Sequence, residues 1–197
     1  MKTAKVIAAA ICGFVIASIA ASATLVSNIY EPIRSLNNIS SSLWAAQSFV
    51  TDGRLSILVN VRAQVGDETG PTTPFAELRT ADFLGHMDTS PAGLVATFYI
   101  PDLTGTRSDR TFLPDRRFWL APNTKYFFVL GNLTEGPDTF DWSYADTNVW
   151  SGPGYLDSYE YTFDGGTTWI PHSNEFPFHL EVNVNWKIPV LWFPAGG

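Results

Sequence analysis

Along the eleven residues LSILVNVRAQV, at positions 55–65, apolar side chains recur with a period of two. Leu55, Ile57, Val59, Val61 and Ala63 fall on one face of an extended chain, which is the pattern of a β-strand. The run PFHLEVNVNW, at 177–186, repeats it: Phe178, Leu180, Val182 and Val184 share a face. His179 alternates with them and is expected on the outer surface. A strand with one apolar and one polar face belongs to an antiparallel sheet packed on a core.

Working outward from these two runs, short blocks rich in Val, Ile, Thr, Phe, Tyr and Trp recur between Gly, Pro, Asn and Asp. They predict further strands at 23–29, 43–51, 75–81, 94–99, 109–113, 118–120, 125–132, 139–144, 159–163 and 168–171. Residues 36–46 (LNNISSSLWAA) look weakly helical, but their serines and asparagines favour a loop entering a strand. So many short strands without a long repeat predict an all-β fold, an antiparallel β-sandwich of jelly-roll type. A closed barrel is the alternative.

Composition narrows the function. The chain has 197 residues, 45% hydrophobic and 14% aromatic but only 16% charged, which suits one domain with a full core and excludes a disordered tail. Lys2 and Lys5 precede an uncharged apolar run at 6–20, and Ala21-Ser22-Ala23 follows as a small-x-small site. That is the form of a secretory signal peptide cleaved after Ala23. The apolar run of about 15 is short of the roughly 20 residues a membrane span needs. The expected organisation is therefore a leader at 1–23, one β-sandwich domain at 24–185, and a short apolar tail at 186–197. No transmembrane span should remain after cleavage, and the product should be extracellular or at the cell surface. The sole cysteine, Cys12, lies in the leader, so thiol catalysis, cysteine-bound metal and disulfides are not expected afterwards. Removing the two lysines leaves 10 basic against 19 acidic residues. Nucleic acid is a poor partner for that surface.

Charge is unevenly placed. No Lys or Arg occurs between Lys125 and Lys187, a stretch that holds nine acids together with Trp142, Trp150, Trp169, Tyr144, Tyr155, Tyr159 and Tyr161. Arg107, Arg110, Arg116 and Arg117 crowd a short span before it. Tryptophan and tyrosine beside carboxylates suit a sugar, because ring faces stack on pyranose C–H groups while acids fix hydroxyls. Candidate ligand-binding residues on this reading are Asp141, Trp142, Tyr144, Asp146 and Trp150. Clustered carboxylates also suit Ca²⁺, although no D-x-D-x-D-G loop is present; no other cofactor is implied. The plainer reading of the same window is core aromatics alternating with solvated acids. A paired-carboxylate hydrolase is the enzymatic alternative, but carboxyl separation is not written in a sequence. His86, His172 and His179 stand outside any catalytic or metal motif and are expected on the surface or in loops.

Residues 162–169, TFDGGTTW, match the Asp-box pattern S/T-x-D-x-G-x-T-W. Its physics is local: Asp164 accepts backbone N–H bonds, glycine permits positive φ, and Trp169 packs under the hairpin. A single copy predicts a stabilised turn.

TLVSN at 24–28, Trp44-Ala45-Ala46-Gln47-Ser48-Phe49, and the run from Leu120 to Leu130 (LAPNTKYFFVL) are joined by Phe140-Asp141-Trp142 and the closing FDGGTTW and FPFHLEVNV. Together they resemble the choice-of-anchor R domain of exported bacterial proteins. The resemblance covers about 24–184 and implies an exported all-β surface domain whose C-terminal anchor varies and which has no established catalytic residues. The tail departs from that pattern. NWKIPVLWFPAGG resembles only the opening of a PEP-type sorting signal and lacks its long apolar span and terminal arginines, so release is expected. The expected function is a secreted or cell-surface, non-catalytic structural or binding protein. Its expected partners are an extracellular glycan or other surface proteins. Self-assembly by strand donation is a further alternative.

Overall fold

The computed structural model describes residues 22–173 and 176–186, and over them the chain is antiparallel β-structure. The proposed leader lies almost wholly outside the described residues, as does the tail beyond Trp186. Among the described residues there are thirteen strands: β1 (Ala23–Ser27), β2 (Ile33–Ile39), β3 (Trp44–Val50), β4 (Ser56–Gly66), β5 (Pro74–Thr80), β6 (Leu94–Tyr99), β7 (Ser108–Pro114), β8 (Trp119–Leu120), β9 (Lys125–Asn132), β10 (Phe140–Ala145), β11 (Tyr155–Thr162), β12 (Ile170–His172) and β13 (Leu180–Trp186). No helix among them is long and apolar enough to cross a membrane.

The long strand β4 organises one half of the sheet. It pairs with β13, which pairs with β1, and on its way it also meets β7, β8 and β10, with β2 beyond β10. The other half runs β6-β5-β9-β3-β11-β12. The halves join where β6 meets β7 through Phe98–Pro114 and Tyr99–Leu113. The sheet curls until β1 meets the run leading into β11: Ser27 and Ser151 exchange backbone bonds of 2.9 and 2.7 Å, and the Gly154 N–H reaches the Leu25 carbonyl at 2.8 Å.

Curling lets the inner faces of both halves share one core. Val61, Phe112, Trp142 and Val182 from the first half pack with Phe49, Leu78, Phe98 and Phe128 from the second. Phe128 sits at the junction, edge-on to Phe98 at 5.2 Å, Phe112 at 5.3 Å and Trp142 at 5.9 Å. Each such large side chain removed from water contributes about 1.5–3 kcal/mol.

The face assignment of 177–186 holds, with Phe178, Leu180, Val182 and Val184 all at 0% exposure. That of 55–65 holds only in part. The pairing of β4 with β13 slips between Asn183 and Val184, so that Leu58 pairs with Val184 while Asn60 pairs with Asn183. Val59 is the extra residue of a bulge, which reverses the parity of the strand. Leu58, Val61, Ala63 and Val65 therefore point inward, and Ile57 and Val59 are half-buried on the other side.

Two further expectations are corrected. Residues 33–39 form strand β2, which pairs only with β10 and exposes most of its side chains, so no burial alternation marks it. His179 is not on the surface. The side of β13 opposite the core is covered, leaving the ring at 0% exposure with Nδ1 2.9 Å from Ser143 Oγ and Nε2 2.9 Å from the Glu31 carbonyl.

Candidate functional site

The residues expected to bind ligand do not assemble. Trp142 is fully buried, stacks on Phe178 at 4.2 Å and donates its indole N–H to the His179 carbonyl at 3.0 Å. Neither ring face is free, so its expected ligand role is withdrawn. Tyr144 is half-buried, stacked on the other side of Phe178 at 4.2 Å, and burial raises its phenol pKa. Asp141 faces away from that stack, 3.8 Å from Arg107. Its pKa is raised by burial first and by the neighbouring Asp67 second, with Arg107 opposing both. Asp146 is exposed beyond the end of β10, and Trp150 lines a separate cavity with Ile29 and Tyr30. Of the four crowded arginines, Arg107 is the one that reaches the acidic window; Arg110 and Arg116 bond the Thr104 and Val95 carbonyls.

A different surface gathers aromatic and polar groups: the outer face of β5-β9-β3-β11. Side chains alternate across these strands, so Leu78, Phe128, Leu130 and Phe49 enter the core while Glu77, Arg79, Val129, Ala46 and Glu160 face out. Strand register aligns one row of them. Glu77 pairs with Val129, Val129 with Ala46, and Ala46 with Glu160. In the next row Phe75 pairs with Gly131. Beside it Trp44 leans over, edge-on to Phe75 at 4.7 Å and 80°, with its indole N–H donated to the Asn132 carbonyl at 3.2 Å.

Two loops wall this face. One, at 82–93, drops Met87 onto the sheet beside Phe127 and Val129. The other is the Asp-box turn between β11 and β12. As its sequence predicts, Asp164 Oδ1 accepts the N–H groups of Thr167 at 3.0 Å and Thr168 at 2.8 Å, and Gly165 and Gly166 have φ of 66° and 90°. The turn holds Trp169 with an N–H bond to the Gly166 carbonyl at 3.1 Å, and it sets that ring at the edge of the groove. Cavities of about 240 and 340 Å³ result, sharing Met87, Thr89 and Trp169. Together they lie in the size range of small-ligand sites.

The turn is testable through its carboxylate. Bonds from Thr162 and Thr168 lower the Asp164 pKa to about 2. Because the folded value is depressed, the stabilisation is present above the unfolded value of about 3.9 and is lost as pH falls through about 2. Asp164→Ala is expected to lower the Tm at pH 6. The gap from the parent protein should then close between about pH 4 and pH 2, as thermal unfolding across that range will measure.

The groove carries charge at both ends. Arg79 Nε bonds Glu77 at 2.7 Å, and Arg79 also reaches the Asp88 and Ser90 carbonyls. Opposite, Glu160 is buried, and its carboxyl pKa is raised chiefly by that burial, against the bonds from Met87 and His86. Among the described residues no group of three or more His, Cys, Asp or Glu side chains is placed to hold a metal ion, so the acids expected to suit Ca²⁺ are not gathered there.

The expected ligand residues do not include Trp44, Phe75, Glu160 or Trp169, although Trp169 stands both in the acidic-aromatic window and in the Asp-box turn. A period-two reading of AQSF, FAEL and FFVL assigns their inner faces, and the outer-face partners become visible only with strand order. No family model matches the chain, and no curated protein matches it either.

Proposed function

We propose that the protein is an exported, non-catalytic binding protein of the jelly-roll sandwich type, which holds a glycan in the groove on the outer face of β5-β9-β3-β11. The observation that carries this reading is the grouping of three half-buried rings, Trp44, Phe75 and Trp169, with Glu77, Arg79, Thr89 and Glu160 around a floor of Val129. Sugars bind where ring faces meet C–H surfaces and nearby polar groups meet hydroxyls. Both indole N–H groups are already bonded to backbone carbonyls, which fixes the rings in place before any ligand arrives. The signal-like leader and the resemblance to choice-of-anchor R domains support an extracellular or cell-surface setting.

The commitment of Glu77 to Arg79 favours binding over hydrolysis. Glu77 and Glu160 are three strand spacings apart along one row, a backbone separation of about 14 Å.

A glycan array, followed by calorimetry on the hits, tests the reading. Trp169→Ala is expected to weaken binding by about tenfold or more, as loss of a central aromatic contact does, with the β-sheet circular dichroism retained. Absence of any glycan binding by the parent protein would overturn it.

A further inference from the structure

Glu160 narrows the chemistry of that ligand, on the premise that the groove binds glycan. The carboxylate enters the cavity formed with His86, Met87, Thr89, Thr168 and Trp169. Its side chain is only 2% exposed, yet both of its contacts fall on one oxygen: Oε1 accepts the Met87 N–H at 3.2 Å and lies 3.3 Å from His86 Nδ1. Among the described residues no group hydrogen-bonds Oε2. Oε2 therefore opens onto the cavity, where a donor can meet it, and a positively charged donor bonds a carboxylate most strongly.

The protein's own cations nearby are committed elsewhere. Lys125 Nζ bonds Asp157 at 2.7 Å and Ser158 Oγ at 2.8 Å. Arg79 is held by Glu77 and two backbone carbonyls. His86 is half-exposed and meets the oxygen that Met87 already occupies. Oε2 is thus left to a donor that enters through the cavity, which shares Trp169 and Met87 with the aromatic part of the groove.

We propose that the groove recognises an amino sugar, with the pyranose ring against Trp169 and Trp44 and the protonated amine on Glu160 Oε2. A compact ammonium fixed to the sugar ring matches an acid set one cavity away from the stacking surface. A lysine side chain offers the charge without a ring for those faces.

Calorimetry with three oligosaccharides of equal length tests this: a β-1,4-linked glucosamine tetramer, its N-acetylated counterpart and cellotetraose. The glucosamine tetramer is expected to bind about tenfold or more tighter than the other two, the worth of one charge-assisted bond. Glu160→Gln should remove the preference while leaving residual binding of all three. Thermal unfolding of the variant checks that the fold survives. Equal binding of the three by the parent protein would overturn the amine assignment and leave the glycan reading standing. Tighter binding of a lysine-rich peptide than of the glucosamine tetramer would also overturn it. No binding of any saccharide would remove the glycan reading beneath it.

Discussion

Replacing Trp142 by alanine is expected to cost about 3–5 kcal/mol of folding stability and to lower the Tm by roughly 6–20 °C for a domain of this size. The indole is fully buried between Phe178, stacked at 4.2 Å, and Phe128, edge-on at 5.9 Å. Those two residues belong to opposite halves of the curled sheet, so the cavity left behind opens at their junction. The change also leaves the His179 carbonyl without the donor that reaches it at 3.0 Å, a further penalty for a buried acceptor. Trp142→Phe should be milder, since it keeps most of the ring contact and loses the N–H. Urea unfolding of the three proteins gives the comparison directly. Glycan affinity of the folded Trp142→Ala protein should be unchanged, because Trp142 faces the core and the groove lies on the outer face of the other half. A near-neutral stability change with lost binding would return Trp142 to the role of ligand platform.

The strand pattern was legible because it rests on short-range alternation. Twelve of the predicted segments overlap twelve strands, and the one omitted, β2, shows why. Its residues IRSLNNI carry no burial pattern, since it pairs with a single neighbour and exposes most of its length. Its strand character comes from β10, which supplies hydrogen bonds without demanding an apolar face. The bulge at Val59 was equally hidden: Leu58 breaks the alternation of 55–65, but an extra apolar residue there does not by itself reveal the slip that the pairing with β13 imposes.

The candidate site was far less legible, for a related reason. Alternation distinguishes the two faces of a strand but says nothing about what covers the second face. His179 reads as an outward residue and is outward from the core, yet Ser143 and the Glu31 carbonyl close over it. Burial there lowers its pKa, against the bond to the Glu31 carbonyl. The acidic-aromatic window likewise looks like one surface in sequence, but its members divide. Trp142 joins the core, Asp141 meets Arg107, and Glu160 and Trp169 reach the opposite side of the molecule's second half. The partners that complete the groove, Trp44 and Phe75, lie roughly a hundred residues upstream of Glu160 and Trp169 and share no motif with them.

Gly131 ties the groove to the fold, and Gly131→Ala is expected to cost about 1–3 kcal/mol through overpacking. The same change should cut glycan affinity by about tenfold or more. The residue lies in β9 with Phe75 opposite it, and a β-carbon built there would come within 2.3 Å of Phe75 Cε1, 2.4 Å of Cζ and 2.8 Å of Trp44 Cγ. Its backbone φ is not in the positive region, so the effect is steric alone. Phe75 cannot simply swing aside, because Trp44 abuts it edge-on and is itself anchored to the Asn132 carbonyl. The bare strand surface is thus what allows two rings to lie across β9 and form the groove's aromatic end. Adding Phe75→Leu to Gly131→Ala relieves the crowding and should recover most of the lost stability, a coupling of the kind contacting residues show. Binding should stay weak in the double variant, because the ring is gone. Full recovery of affinity together with stability would mean that Phe75 and Trp44 only fill space and that the ligand is held elsewhere.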